Sequence, residues 1–191
     1  VSTPVLHVLA GPNGSGKSTF VCEVLGPVTN LPFINADEIA ERHWPGRAHE
    51  HAYDASAAAA TARDQAIADR RSVITETVFS HPSKVDLVKQ GLAAGYLVEL
   101  HVMLVPEDLA VARVAHRVAA GGHTVPEDKV RQRYRRLWDL IVQARRIADR
   151  ATFYDNTSSK PFRLVAIYER GRPVGTPAWP TWAPPEITTG E

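Results

Sequence analysis

Cysteine occurs once in this chain of 191 residues, at Cys22, so no disulfide can form within it and a cross-linked fold is excluded. Two turns into an expected helix, Cys22 reads as a small buried side chain rather than a redox centre. An excess of one charge is lacking too. Lys and Arg number 22 against 21 Asp and Glu, a formal net charge of +1, which argues against a dedicated nucleic-acid binder and leaves only local basic patches open. No apolar run is long enough to span a bilayer, and neither a charged-then-apolar leader nor a lipidation signal is visible, so the cytoplasm is the expected location. The guanine-reading pattern N-K-x-D is missing, which disfavours a GTPase, and no strand ends in the apolar-then-Asp pattern of a Walker B motif. What remains, with 44% hydrophobic and 23% charged residues, is the composition of one globular α/β domain with a real core.

Against that background one stretch stands out. The apolar run Val5 to Ala10 is followed by Gly11, Pro12, Asn13, Gly14, Ser15, Gly16, Lys17, Ser18 and Thr19. A strand that runs into G-x-x-x-x-G-K-[ST] is a phosphate-binding loop. Its glycines permit backbone angles that a Cβ would forbid, so successive N–H groups converge on one anion, and the following helix aims its N-terminal dipole at the same point. Lys17 supplies a mobile charge for the β- and γ-phosphates, and Ser18 a small hydroxyl ligand for Mg²⁺. The alternative is a glycine-rich turn that matches by chance. The β-like run before it and the helix-compatible STFVCEVL after Lys17 argue for the loop, and ATP with Mg²⁺ is the expected ligand pair.

Apolar β-like runs at about 5–10, 32–35, 72–76, 96–105 and 151–154 alternate with helical stretches after the loop and at 47–70, 82–94, 106–119 and 126–148. This alternation predicts a doubly wound α/β fold with a central, mostly parallel sheet flanked by helices; the phosphate loop makes it a P-loop NTPase fold, and the arginine-bearing segment points to the kinase type with a helical lid at about 113–136. The stretch from Arg163 predicts a hairpin turning at Gly171. Residues 1–176 form the expected single domain. The Pro- and Trp-containing tail 177–191 is expected to be extended or disordered, with Trp179 and Trp182 covering an edge.

Ligands gather at the carboxyl ends of parallel strands, so the polar residues there are the candidates. Asp37, in FINADEIA, is placed to accept a proton from an attacking hydroxyl or to support Mg²⁺; it equally suits the first turn of a helix capped by Asn35. Glu76, followed by Thr77, ends the third run and can bind substrate hydroxyls or support the metal, or it is a solvated strand terminus. Asp37 and Glu76 thus compete for the magnesium task beside Ser18. Arg113 and Arg117 share a helix face, Gly121-Gly122 breaks that helix, and Arg131, Arg133, Arg135 and Arg136 follow on the next. Two arginine-bearing helices around a hinge suit a lid that brings guanidinium groups onto phosphates, and some of these arginines belong to a solvated face. His123 reads as a structural hydrogen-bonder. Asn156, in YDNTSSK, can bond adenine or form a plain Asx-turn. His49 and His51 diverge on a helix and are not read as a metal pair.

Taken together, GPNGSGKST, NADE, ETVFS, RVAHRVAAGGHTVPEDKVRQRY and YDNTS resemble the zeta-toxin-like kinases over roughly residues 5–157, in their short, compact branch. That resemblance implies phosphoryl transfer from ATP to a hydroxyl of a sugar nucleotide such as UDP-N-acetylglucosamine. It further implies Lys17 and Ser18 as phosphate and magnesium residues, Asp37 as general base and Glu76 as a substrate-contacting acid. Arg117 and Arg133 would be the phosphate clamp, with Arg113 and Arg136 as rivals, and an antitoxin protein a potential partner. The alternatives are a polynucleotide kinase and a nucleotide-dependent regulatory module without turnover.

Overall fold

The computed structural model describes residues 2–119, 125–158 and 161–189. β1 (Val5–Ala10) takes the centre of the sheet because, His7 apart, it is a continuous apolar run that needs cover on both faces. It pairs in parallel with β3 (Val73–Thr77) on one side and β4 (Leu97–Leu104) on the other. β2 (Phe33–Ile34) and β5 (Arg150–Asp155) extend the parallel set, and β6 (Arg163–Glu169) and β7 (Arg172–Pro173) close it antiparallel, giving the order β2-β3-β1-β4-β5-β6-β7. Parallel neighbours require crossovers, which the helices supply. The hairpin expected at Gly171 is β6–β7, with Gly171 at φ +77°.

After the loop the chain forms α1 (Lys17–Phe20), a π-helical turn (Val21–Leu25) and α2 (Gly26–Thr29). Then follow α3 (Ala36–His43), α4 (Ala52–Ala68), α5 (Ser83–Ala93), α6 (Glu107–Ala119), α7 (Glu127–Ile147) and α8 (Pro185–Thr188). No helix of the described residues is long and apolar enough to cross a membrane.

The two faces of the sheet differ. Leu6, Val8, Leu100, Val102, Leu104 and Phe153 join residues of α4, α5 and α7 in the main core. On the other face Leu9, Ile74 and Met103 meet Phe20, Val21 and Leu25 in a smaller cluster. Phe20, Val21 and Leu25 are spaced to put one face of the post-loop helix on the sheet. Cys22 lies one residue out of that phase and is exposed, contrary to the buried side chain expected of it. α4 begins at Ala52 rather than near 47, and His51 stacks on Trp44 (centroids 4.5 Å apart) in the turn before it.

The tail corrects another expectation. Through Thr189 it is anchored rather than disordered, and Trp179 and Trp182 cover the domain as expected: Ile187 is fully buried, Trp179 packs edge-on against Phe153 at 5.2 Å, and Trp182 packs against the same core. Arg145, itself buried, donates to the Ile187 carbonyl at 2.9 Å and lies over the Tyr168 ring. Three large apolar residues in an otherwise aperiodic tail are enough to anchor it, because they cover core that β6 and α7 leave open.

Candidate active site

β1 ends at Ala10 and the loop wraps its carboxyl end. Gly14 (φ +74°) and Gly16 (φ +89°) hold left-handed backbone angles, and a Cβ on Gly16 would collide with the Asn156 carboxamide. That carboxamide donates to the Ser15 carbonyl at 2.9 Å. Arg113 clamps the same pair from α6, donating to the carbonyls of Asn156 at 2.9 Å and Gly14 at 3.4 Å. Asn156 and Arg113 therefore shape the loop, and the Asn156 amide is spent on loop backbone rather than standing free for adenine.

Lys17 is buried and donates to the carbonyls of Gly11 (3.1 Å) and Pro12 (2.9 Å). Burial pushes its ammonium below the ordinary lysine value; the charges of Glu76 and Asp37 oppose that shift and Arg117 adds to it. Four of the expected residues are thus electrostatically joined.

Register Leu9↔Glu76 brings the end of β3 level with the start of the loop. Glu76 Oε2 accepts from Ser18 Oγ at 2.7 Å and from Asn35 Nδ2 at 3.1 Å, while Oε1 stands 3.7 Å from Lys17 Nζ. Asn35 also caps α3, its Oδ1 accepting from Asp37 N at 2.8 Å, as the sequence predicts. Asp37 is left exposed on the first turn of α3, facing the shared cavity. Glu76, rather than Asp37, is the carboxylate bonded to Ser18. A hydroxyl and a carboxylate in contact, with Asp37 on the same cavity, are hard oxygen donors that suit Mg²⁺, and the buried Ser15 Oγ and Asn13 Oδ1 have no hydrogen-bond partner among the described residues.

The cavity measures about 700 Å³ and is lined on the nucleotide side by Asn13, Gly14, Gly16, Lys17, Ser18 and Thr19. Gly11 and Pro12 stand behind that lining and are buried. From the lid, Arg113, Arg117 and Arg133 reach it. Arg136, one turn further along the same helix, does not line it and is exposed. Arg131 is held by Glu107, Asp108 and Glu127, and Arg135 pairs with Glu107, so both belong to the helix surface. Gly121, Gly122 and His123 lie outside the described residues.

The far wall holds Thr77, expected as a substrate contact, together with residues that the sequence patterns do not single out. Arg63 on α4 is 8% exposed; among the described residues its guanidinium makes one long contact, 3.5 Å, to the Thr75 hydroxyl, and it feels the charge of the adjacent Asp64. The Lys84 ammonium, at the start of α5, has no hydrogen bond or ion pair among the described residues, and burial and the Arg63 charge both lower its affinity for a proton. Ser56, Ser80 and Thr77 complete that wall, Thr77 Oγ1 accepting from Phe79 N at 3.1 Å in a turn where Phe79 is strained to φ +67°. A signal for Arg63 was present: it continues the buried stripe Ala55, Ala59, Ala66 of α4, where one cation among alanines has a reason to be buried.

The zeta toxin family model matches residues 1–164. Among curated proteins none matches the sequence. Among solved structures, the PezAT toxin–antitoxin system of Streptococcus pneumoniae is similar at TM-score 0.63 and 13% identity, over 100% of this chain and 85% of that one. A gluconokinase from Sinorhizobium meliloti is similar at 0.53 and 21%, over 83% and 86%. The complex of AvrRxo1-ORF1 and ORF2 with ATP is similar at 0.61 and 15%, over 90% and 60%. At these identities the likeness is one of fold, and it agrees with the P-loop kinase architecture expected from the phosphate loop, the strand–helix alternation and the arginine-bearing segment.

Proposed function

The chain belongs to the zeta toxin family and is a kinase-type phosphotransferase, and from that premise we propose that it transfers the γ-phosphoryl group of MgATP to a hydroxyl of a sugar nucleotide such as UDP-N-acetylglucosamine or a related anionic metabolite. One observation carries this reading: Lys17, Ser18, Asp37, Glu76, Arg117 and Arg133 converge on a cavity whose opposite wall offers Arg63 and Lys84, neither in a close ion pair with a carboxylate among the described residues. The first group suits a triphosphate. The second suits an acceptor that carries its own negative charge.

In this mechanism the loop N–H groups and Lys17 hold the phosphates. Ser18 and Glu76 would hold Mg²⁺, with Asp37 close to the same site, and the ion would neutralise charge on the phosphate oxygens. Asp37 takes the proton of the acceptor hydroxyl as its oxygen bonds to phosphorus and the bond to the ADP oxygen breaks. Arg117 and Arg133 balance the charge that spreads over the moving phosphoryl group. Arg63 and Lys84 orient the acceptor by its anion. The likeness to PezAT supports an antitoxin as protein partner.

The test is a transfer screen with MgATP against sugar nucleotides, free sugars, nucleosides, small alcohols and an oligonucleotide, read by product mass. A phosphorylated sugar nucleotide is expected; turnover on the oligonucleotide alone would replace this reading with a polynucleotide kinase. Asp37→Asn should preserve folding and ATP affinity while turnover falls about a hundredfold or more. Near-normal kcat in that variant would remove Asp37 as the base.

A further inference from the structure

His7 of β1 and Glu99 and His101 of β4 lie on the sheet face away from the main core, outside the phosphate cavity. Registers His7↔Glu99 and Leu9↔His101 bring them together. One ligand atom from each residue lies within 4.8 Å of the other two. His7 Nδ1 and His101 Nε2 face each other at 3.1 Å with their rings stacked. Both imidazoles are buried, His101 to 6% exposure and His7 to 9%. His101 Nδ1 has no hydrogen-bond partner, and the half-buried Glu99 carboxylate has no hydrogen bond or ion pair among the described residues. None of the three takes part in the proposed phosphoryl transfer.

We propose that His7, Glu99 and His101 form a binding site for one transition-metal dication of the Zn²⁺ class, which clips β1 to β4 beneath the phosphate loop. The donor chemistry selects the ion. Two imidazole nitrogens and one carboxylate suit Zn²⁺, Co²⁺ or Ni²⁺, whereas Mg²⁺ and Ca²⁺ prefer all-oxygen sets. The spacing agrees. Zn–N bonds of about 2.0–2.1 Å in a tetrahedral shell place neighbouring nitrogens about 3.3 Å apart, so the two rings need to open by only a few tenths of an ångström.

The surroundings favour retention of the ion. Phe20 and Tyr154 stand against His101, at ring-centroid distances of 5.7 and 6.3 Å, and keep the nitrogen side dry. The carboxylate side is open enough for an ion to enter. Arg150, opposite Glu99 in register, is the charge that opposes binding, and it makes no ion pair with Glu99 among the described residues. Without a metal the facing nitrogens share a single proton in one hydrogen bond, and the carboxylate is left unused. An ion would take both inner nitrogens and the carboxylate as ligands.

The experiment uses the full chain without a histidine tag, in excess Mg²⁺ to occupy the phosphate-loop oxygens. Zn²⁺ is titrated by calorimetry and by melting temperature. The wild type should bind one Zn²⁺ per chain and melt at higher temperature. Glu99→Gln should weaken binding about tenfold or more, and His7→Gln should weaken it further. Co²⁺ should give the absorption of a nitrogen-ligated tetrahedral ion, and that signal should be lost in His7→Gln. If His7→Gln fails to fold, Glu99→Gln, which changes a half-exposed group and keeps its size, decides alone. Failure of the wild type to bind one equivalent, or wild-type affinity in Glu99→Gln, overturns the proposal and assigns any bound ion to exposed groups such as His49 or Cys22. Neither result bears on the kinase reading.

Discussion

Replacing Glu76 with Gln tests the centre of the site while hardly changing its shape. In the native chain one carboxylate accepts from Ser18 at 2.7 Å and Asn35 at 3.1 Å and faces Lys17 at 3.7 Å. An amide oxygen still accepts both hydrogen bonds but without charge, which weakens each by about 1 kcal/mol. Mg²⁺ held beside Ser18 loses the carboxylate charge itself, and reducing one charge-assisted contact to a neutral one is worth about 1–2 kcal/mol, roughly 5- to 30-fold in affinity. The Lys17 ammonium also changes. Burial already lowers its proton affinity and Glu76 opposes that shift, so removing the charge lowers it further. Lys17 then loses its proton at a lower pH, and the alkaline fall of ATP affinity moves down the pH scale. The assay is calorimetric ATP binding across a magnesium series at several pH values, with melting temperature as the control for folding. Unchanged magnesium dependence in a folded variant would refute the assignment of Glu76 to the metal and return it to the substrate alone.

Three further outcomes are expected. Gly16→Ala introduces a Cβ at φ +89° against Asn156, so ATP affinity should fall with a stability loss of about 1–2 kcal/mol, measured by calorimetry and denaturant titration. Ile187→Ala empties a fully buried position in the tail and should cost about 2–5 kcal/mol, visible as a lower melting temperature with catalysis intact below it. Asp155 is opposed by burial, but the Thr157 hydroxyl and the Arg163 guanidinium at 2.9 Å hold its carboxyl below the ordinary value of 3.8. Its contribution is therefore complete above that value and is lost as pH falls through the lower folded value, so the stability gap between wild type and Asp155→Asn should close only in strong acid.

Local chemistry made part of this protein legible in one dimension. The phosphate loop, the Asn35 cap and the alternation of strands and helices each depend on residues within a turn or two of one another, and a single chain displays such patterns directly. For the same reason the lid arginines were visible as a group: four-residue spacing places Arg113 and Arg117 on one face. Which of them reach the cavity was a different matter, because that depends on how α6 and α7 lean on the sheet. The structure leaves Arg136 off the cavity and ties Arg113 to the carbonyls of Gly14 and Asn156.

Partnerships across long sequence separations were decided by tertiary structure alone. Ser18 and Glu76 are 58 residues apart, Asn156 and Ser15 are 141 apart, and His7 and His101 are 94 apart. Nothing local in either partner encodes the other, since the contact exists only once the order β2-β3-β1-β4-β5 has set the strands side by side. For Arg63 the sequence shows the phase of a buried stripe but not its use: a lone arginine in an alanine-rich helix gains a role only when a cavity opens beside it. The tail was misjudged because its anchoring residues have no period. Their burial is conferred by the groove they fill, which no part of the tail itself describes.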